Sequence, residues 1–259
     1  MAERADGTQP SVRAVERALL LLEQLAACED ASLGELSAAT GLHKTTVFRL
    51  LGTLEACGYA VQEQKTQRYA LTPRLLRVCA DRLTQLYADV RAQVRPVLLP
   101  LALSCGETVH LVRREGDTAV YLDKLEAPQN TVRLVSRIGA AVPLPCTAVG
   151  KALLSADSDG DAAAVWARFC AASGRAADPA AQAAFLRELA AVRENGFAVD
   201  DEENEPGVRC VACALPDTSG ARRYAFSVSA PVQRMDDDAL ARTAQAVCGA
   251  ARQIGTLIG

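Results

Sequence analysis

Apolar positions between residues 32 and 60 recur at the spacing of two short helices joined by a tight turn at Gly41. Ser32 and Glu35 have the spacing of a capping box, which predicts that the first helix begins directly after Ser32. The apolar residues after the turn fall at i, i+3, i+4 and i+7 and are Val47, Leu50, Leu51 and Leu54. One buried face is therefore predicted for the second helix, and the pair predicts a helix-turn-helix unit.

The other face of the second helix carries hydrogen-bond donors on short or forked side chains. Such groups contact phosphates and base edges when a helix lies in the major groove of DNA. The residues of this helix predicted to contact DNA are His43, Lys44, Thr45, Thr46 and Arg49. The pattern thus predicts that this is a recognition helix.

Two short apolar stretches at 58–61 and 69–71 flank a polar loop and predict a β-hairpin directly after this helix. A hairpin in that position is a wing, and Lys65 and Arg68 at its tip are predicted to reach phosphate groups. Two-helix units also occur in proteins that bind only other proteins. A winged-helix interaction module without DNA binding therefore remains the alternative function.

A further helix is predicted at 13–27, before the helix-turn-helix. Its apolar side comprises Val15, Leu19, Leu22 and either Leu25 or Ala26. Residues 12–72 are therefore interpreted as a winged helix-turn-helix DNA-binding domain that follows a disordered tail at 1–11. A linker helix is predicted at 73–90, where apolar residues form one stripe that needs a partner.

Alternating and helical patterns continue through 91–259 and predict an α+β domain with an antiparallel sheet. Strands are predicted at 108–113, 119–124, 132–135, 197–199, 208–215 and 224–230. Helices are predicted at 92–103, 148–154, 159–172, 179–195 and 235–254. The fold class is therefore predicted as α+β, with a winged helix-turn-helix, a linker helix and an α/β domain of the sensor type.

Charge is concentrated in the part of the chain that carries the predicted reader. The whole chain has a net charge of −3, whereas residues 40–82 hold seven basic side chains against three acidic ones. A nonspecific phosphate binder would be far more basic. This local excess of positive charge fits a protein that binds DNA with two or more copies of the domain. An ordinary solvated face also explains the excess.

Hydropathy and cysteine usage favour a cytoplasmic protein. No apolar run reaches the ~18–20 residues of a membrane span, and residues 1–11 lack the apolar core of a signal peptide. Nine cysteines, an odd number, are scattered mostly in apolar surroundings, which indicates reduced thiols. Cys210 and Cys213 form one CxxC in a predicted strand, where they point to opposite faces. No metal or cofactor is therefore predicted.

An enzyme in the second domain is disfavoured. Nucleophilic catalysis requires a base beside Cys or Ser, and the only histidines are His43 in the predicted reader and His110 in a stretch without a catalytic signature. Glu202 and Glu203 lie near Asp200 in sequence, yet nothing in the pattern dictates a catalytic geometry for these carboxylates.

Four sequence blocks together resemble the IclR family of bacterial transcription regulators. They are GLHKTTVFRLLGTLEACGYA near the N-terminus, CTAVGKALLS at 146–155, NGFAVDDEENEPGVRCVACAL at 195–215 and SVSAP at 227–231. The resemblance implies a winged helix, a linker helix and a GAF-like effector-binding domain. It also implies a ligand-responsive transcription regulator that binds operator DNA as a homodimer or homotetramer.

The same resemblance implies an effector pocket in the second domain. Its residues are Cys146, Thr147, Ala148, Val149, Asp200, Cys210, Ser227 and Ser229. Residues 147–149 lie where a loop becomes a helix, and the first N–H groups of a helix favour an anion. A small organic or aromatic acid is therefore the expected effector, with Asp200 meeting a hydroxyl or an amide of that ligand.

Each of these residues also has a purely structural interpretation. Thr147 would only cap the helix, and residues 200–205 would form a solvated acidic loop. Cys210 would serve packing, and Ser227 and Ser229 would bond to the backbone.

Overall fold

The computed structural model describes residues 12–75, 87–128, 136–176, 178–215 and 222–258 of the chain. It divides into two compact units, Met1–Leu86 and Tyr87–Gly259. The predicted tail at 1–11, the predicted strand at 132–135 and most of the predicted linker helix at 73–90 lie outside the described residues. No helix in the described ranges is long and apolar enough to cross a membrane.

The first unit is a winged helix-turn-helix. Its elements are α1 (Arg13–Ala26), α2 (Leu33–Thr40), α3 (Lys44–Ala56), β1 (Ala60–Gln62) and β2 (Tyr69–Leu71). The predicted capping box is confirmed, because the Ser32 hydroxyl accepts from the Glu35 N–H and the Glu35 carboxylate accepts from the Ser32 N–H. Gly41 ends α2 at a φ of 67°, a left-handed conformation that glycine adopts without strain.

The core of the first unit follows the predicted face of α3 and part of the predicted face of α1, since Leu22 and Leu25 pack in it. Leu51 and Val47 are fully buried, as expected from their spacing. On α1, Leu21 and Leu25 enter the core; Val15 and Leu19 are more than half exposed. The apolar stripe of α1 is broader than the strip that α2 and α3 cover, so the periodicity predicts Leu22 and Leu25 correctly but misses Leu21 and wrongly includes Val15 and Leu19.

The second unit has one antiparallel sheet with helices on both faces. Its elements are α4 (Ala88–Cys105), β3 (Thr108–Glu115), β4 (Thr118–Leu125), β5 (Ala141–Pro143), α5 (Ala148–Leu154), α6 (Asp159–Ala172), α7 (Pro179–Asn195), β6 (Ala198–Asp201), β7 (Val208–Leu215), β8 (Tyr224–Pro231) and α8 (Asp237–Ile258). The strand order is β5-β4-β3-β8-β7-β6, and every neighbouring pair is antiparallel. The sequence pattern does not predict β5, which is only three residues long.

The two faces of the sheet bury different cores. Val109, Val211 and Val228 point towards α4 and α8. Ala212 and Ala225 point the other way, towards α5, with α6 and α7 in the same cluster. Because side chains alternate along a strand, each strand contributes to both cores. The strand residues that face α5 are therefore the ones that can meet the start of that helix.

Candidate functional site

Helix α3 presents the predicted DNA-contacting residues at the surface of the first unit. His43 is its N-cap residue: the Nδ1 atom of His43 accepts from the Thr45 N–H at 3.4 Å and lies 2.8 Å from the Thr45 Oγ1. Lys44, Thr45 and Arg49 are exposed, and Thr46 is half-buried. His43 thus has a structural role at the helix start.

A groove between α1 and α3 adds two cations that sequence analysis missed. Arg13 and Arg17 of α1 line it together with Arg49, and its volume is about 470 Å³. Thr46 and Thr53 of α3 supply hydroxyl groups to the same groove. Within the described part of the chain, none of the three guanidinium groups has an ion-pair partner. The sequence signal was the spacing of Arg13 and Arg17, which places both on one side of a helix.

The two predicted wing residues differ in position. Lys65 lies in the exposed turn between β1 and β2. Arg68 lies at the base of that turn, where its guanidinium pairs with Asp30 at 2.6 Å and Glu35 at 2.9 Å. The expectation that Arg68 stands at the wing tip is therefore wrong. The reason is the bridge between Ala31 and Tyr69, which brings the two carboxylates beside β2.

In the second unit, the predicted effector residues of β6, β7 and β8 share one sheet face. Asp200 pairs with Cys210 across β6 and β7, and Cys210 pairs with Ser229 across β7 and β8. Ser227 pairs with His110 of β3. Directly opposed residues point to the same side of a sheet. We call these residues, together with Tyr121 of β4, the polar cluster: Asp200, Cys210, Ser227, Ser229, His110 and Tyr121.

Asp200 is a buried carboxylate rather than part of a solvated loop. It is only 3% exposed, and its Oδ1 atom accepts from the Glu203 N–H at 2.9 Å and the Asn204 N–H at 3.3 Å. Burial raises the pKa of Asp200 to about 6, against the lowering effect of those two N–H groups. The Glu203 carboxylate raises this pKa further, and the Lys151 ammonium lowers it. Asp200 therefore changes charge close to neutral pH.

The two serines hydrogen-bond to each other, and Ser229 also hydrogen-bonds to His110, for which the sequence pattern predicts no function. The Oγ atoms of Ser227 and Ser229 are 3.3 Å apart, and the Ser229 Oγ is 3.4 Å from the His110 Nδ1. The His110 Nε2 lies 2.7 Å from the Ser136 Oγ. Burial lowers the pKa of His110 to about 3, so the imidazole is neutral at physiological pH. Its ring also contacts Tyr121, with centroids 4.8 Å apart.

The start of α5 carries the remaining predicted effector residues, and all four are buried. They are Cys146, Thr147, Ala148 and Val149. The Thr147 hydroxyl accepts from the Gly150 N–H at 3.1 Å and donates to the Pro143 carbonyl at 2.7 Å. Thr147 is therefore an N-cap residue, as its structural interpretation states. The N–H groups of Ala148 and Val149 belong to the first helical turn, which has no intrahelical acceptors for them.

Two thiols and a buried lysine also lie at the polar cluster and the start of α5. Burial raises the pKa of Cys146 to about 11 and that of Cys210 to about 12, so both thiols stay protonated. Lys151 is fully buried and pairs with Glu188 and Glu203. Cys213 packs on the opposite sheet face from Cys210, as predicted for the CxxC. Among the described residues, no group of three or more His, Cys, Asp or Glu side chains is arranged so that it could hold a metal ion.

Both units match known protein families. Residues 14–64 match the family described as IclR helix-turn-helix domain, and residues 84–256 match the family described as Bacterial transcriptional regulator IclR C-terminal. The chain is similar to the HTH-type transcriptional regulator XynR of Escherichia coli, with 32% identity over 90% of this chain and 91% of XynR. It is also 30% identical to the HTH-type transcriptional regulator KdgR of the same organism, over 98% of this chain and 95% of KdgR.

A solved structure shows the same likeness. The crystal structure of an IclR transcriptional regulator from Alicyclobacillus acidocaldarius matches with a TM-score of 0.73 and 26% identity, covering 96% of this chain and all of that chain. The relatives are transcriptional regulators, and the protein is accordingly a ligand-responsive regulator that binds DNA. With both of its units matched, the chain belongs to the IclR family of bacterial transcription regulators.

Proposed function

We propose that α3 enters the major groove of an operator and that the polar cluster, with the start of α5, binds a small organic or aromatic acid. The observation that carries the effector proposal is the convergence of Asp200, Ser227 and Ser229 on the sheet face that packs against α5. The Ala148 and Val149 N–H groups would donate hydrogen bonds to the ligand carboxylate. The Asp200 side chain and the serine hydroxyls would meet its hydroxyl or amide groups.

On DNA, the proposed contacts divide into two kinds. Arg49 and Thr45 would reach base edges, and Lys44 and Lys65 would reach phosphates. Arg13 and Arg17 are added to the phosphate contacts, because they share a groove with Arg49. His43 and Thr46 would contact the DNA from the first turn of α3. Arg68 would contribute only by supporting the wing, since Asp30 and Glu35 neutralise it.

The regulator would act in the cytoplasm as a homodimer or homotetramer. Effector binding would favour one arrangement of paired effector-binding domains and so change the spacing of the DNA-binding domains. A tenfold change in DNA affinity requires that the ligand prefer one arrangement by about 1.4 kcal/mol. A few hydrogen bonds from the polar cluster supply that amount.

A thermal-shift screen of the full-length protein against small carboxylic and aromatic acids tests the effector proposal. A ligand that binds only the native state raises apparent stability in proportion to ln(1 + [L]/Kd). We expect a dose-dependent rise in Tm with at least one acid, and a smaller rise for the matching amide. If neutral sugars or amines stabilise the protein and acids do not, the proposed ligand class is wrong.

Replacing Arg49 by alanine is expected to weaken binding to the preferred operator by about 1–3 kcal/mol and to relax base preference. Arg17→Ala is the matched control, because Arg17 lies in the same groove on α1. It should weaken binding to all sequences alike and reduce the slope of log K against log salt by about 1. Fluorescence anisotropy with specific and random duplexes measures both effects. Unchanged operator affinity in Arg49→Ala contradicts this docking.

Affinity for an anionic effector is expected to rise as pH falls through about 6. The pKa of Asp200 is raised to about 6, so the carboxylate is charged above that pH and repels a ligand anion. Below it, the protonated carboxyl donates a hydrogen bond. We expect roughly a three- to tenfold gain in affinity between about pH 7.5 and pH 5.5, measured by calorimetry. Asp200→Asn should bind independently of pH over this range.

The neighbouring Asp201 provides the control for that experiment. It is exposed and pairs with Arg209, so Asp201→Asn should keep the pH dependence of effector binding. Operator binding without effector should be unchanged in Asp200→Asn. A parallel loss of DNA binding and effector binding in this variant would indicate misfolding of the effector site instead.

A further inference from the structure

Phe48 is a large apolar residue at the surface of α3. Its side chain is 60% exposed, although the preceding Val47 is fully buried. Thr45 and Gly52 are its neighbours one turn before and one turn after on the helix surface. A Cβ atom added at Gly52 would meet nothing within 4 Å, so the helix surface beside the Phe48 ring is open.

The exposed face of α3 has two different edges. Arg49, Thr46 and Thr53 line the groove on the side of α1. On the other side, the Glu55 carboxylate accepts from the Gln62 N–H of β1 at 3.1 Å. Phe48 precedes Glu55 by seven residues, which is almost two full turns, so Phe48 lies on the wing side. The face therefore has a cationic edge beside α1, an aromatic edge beside the wing and the small residues Thr45 and Gly52 between them.

This arrangement suits a helix that approaches a duplex closely. Small residues at the centre of the face let the backbone of α3 come near the base edges. A cationic edge is attracted to phosphates, whereas a phenyl ring gains nothing from a phosphate and loses free energy by staying in water. The one apolar group that base pairs display in the major groove is the C5-methyl group of thymine.

We propose that Phe48 packs on a thymine C5-methyl group and is a specificity-determining residue of operator recognition. The proposal rests on the proposed entry of α3 into the major groove. It assigns the wing side of α3 a preference for thymine at one fixed position in each half-site. A protein partner docked on Phe48 is the competing outcome, and it would leave DNA sequence preference unchanged when Phe48 is replaced.

Two measurements on the full-length protein test this assignment. The first is selection of bound duplexes from a random pool with the wild-type protein and with Phe48→Ala. The second replaces the selected thymine by deoxyuridine, which removes only the methyl group. We expect the wild-type protein to lose about two- to fivefold in affinity on that replacement, as for one buried methyl group. Phe48→Ala should bind the two duplexes equally.

Val61→Ala is the matched control, because Val61 is another exposed apolar residue of the same unit, 48% exposed on β1. It should retain the full response to the loss of the methyl group. Thermal unfolding of both variants should match that of the wild-type protein, since neither side chain belongs to the core. Binding is measured at low salt so that weakened complexes remain quantifiable.

The possible outcomes separate the inference from the proposed function. If Phe48→Ala keeps the wild-type thymine preference and methyl response, the assignment of Phe48 is wrong while DNA binding by α3 stands. A selected site without a fixed thymine overturns the assignment as well. If the wild-type protein enriches no sequence, the proposed docking of α3 itself fails.

Discussion

Replacing Gly150 by alanine is expected to lower the free energy of unfolding of the second unit by about 3–5 kcal/mol. Gly150 lies inside α5, where its backbone touches the chain just before the helix. A Cβ atom there would stand 2.1 Å from the Leu144 carbonyl oxygen and 2.3 Å from the Leu144 Cα. Both atoms belong to the backbone, so no side-chain rotation relieves the clash. Either α5 or the buried Leu144 segment must move.

The clash also reaches the proposed effector site. Leu144 precedes the segment that carries Thr147. The Thr147 hydroxyl donates to the Pro143 carbonyl and accepts from the Gly150 N–H. A shift of α5 would therefore displace the N–H groups proposed to donate hydrogen bonds to the ligand carboxylate. We expect effector binding to be lost in Gly150→Ala even under conditions in which the unit remains folded.

Urea denaturation of the full-length protein, followed by far-ultraviolet circular dichroism, measures the stability change. Gly249→Ala is the matched control, because Gly249 also lies within a helix, and a Cβ atom there meets nothing within 4 Å. That variant should be unchanged or more stable by up to about 1 kcal/mol, since alanine favours a helix. A Gly150→Ala variant with the wild-type denaturation midpoint would contradict the close packing of α5 on Leu144.

The elements of this fold were predictable where one periodicity decided them. The capping box at Ser32 and the buried face of α3 follow from local spacing, and both are confirmed. In α1, the apolar residues cover more of the surface than its neighbours can bury, so local spacing did not distinguish Leu21 from Leu19. Strand β5 is too short for any alternation to be read.

The candidate site was predictable only through resemblance, because its residues come from distant parts of the chain. Nothing near His110 in sequence indicates that it opposes Ser227. Its membership in the polar cluster depends on the register between β3 and β8. Arg68 illustrates the converse: its place in the hairpin suggested a free cation, and the carboxylate of Asp30, far away in sequence, pairs with it. Contacts of this kind require the folded chain.

Lys151 is another residue whose environment the sequence does not reveal. The second large effect is expected when its two carboxylate partners are replaced. A Gly-Lys pair at 150–151 gives no sign that the lysine is fully buried between the carboxylates of Glu188 and Glu203. Burial alone would lower the pKa of Lys151, but the hydrogen bonds to those two carboxylates outweigh it and raise the pKa. The ammonium thus stays charged inside the protein because it is paired twice.

Replacing both partners by glutamine should destabilise the second unit by about 3–5 kcal/mol at neutral pH, because it leaves a buried charge without compensation. Glutamine preserves side-chain volume and an acceptor oxygen, so Glu188→Gln/Glu203→Gln removes little besides charge. Lys151→Met in the same background should restore most of the stability, since the buried charge is then absent. Without that rescue, the loss would have to arise from Glu188 and Glu203 themselves.

The response to alkaline pH should reverse between the two proteins. In the wild-type protein, the raised pKa of Lys151 gives stability that is complete below the unfolded pKa and is lost as pH rises through the folded pKa. In the double glutamine variant, the negative charges that oppose burial at 188 and 203 are gone, so burial lowers the pKa of Lys151. The unfolded state then binds more protons, so stability should rise with pH between about 7 and 10.

Urea midpoints measured across that pH range distinguish the two slopes. The same ion pairs connect α5 to the loop that follows Asp200, because the Glu203 N–H also donates to the Asp200 carboxylate. We therefore expect the double glutamine variant to bind the effector more weakly even where it is folded. If stability instead falls with rising pH in this variant, as in the wild-type protein, the Lys151 ammonium is solvated by water or paired with another negative charge, and its pKa is not lowered.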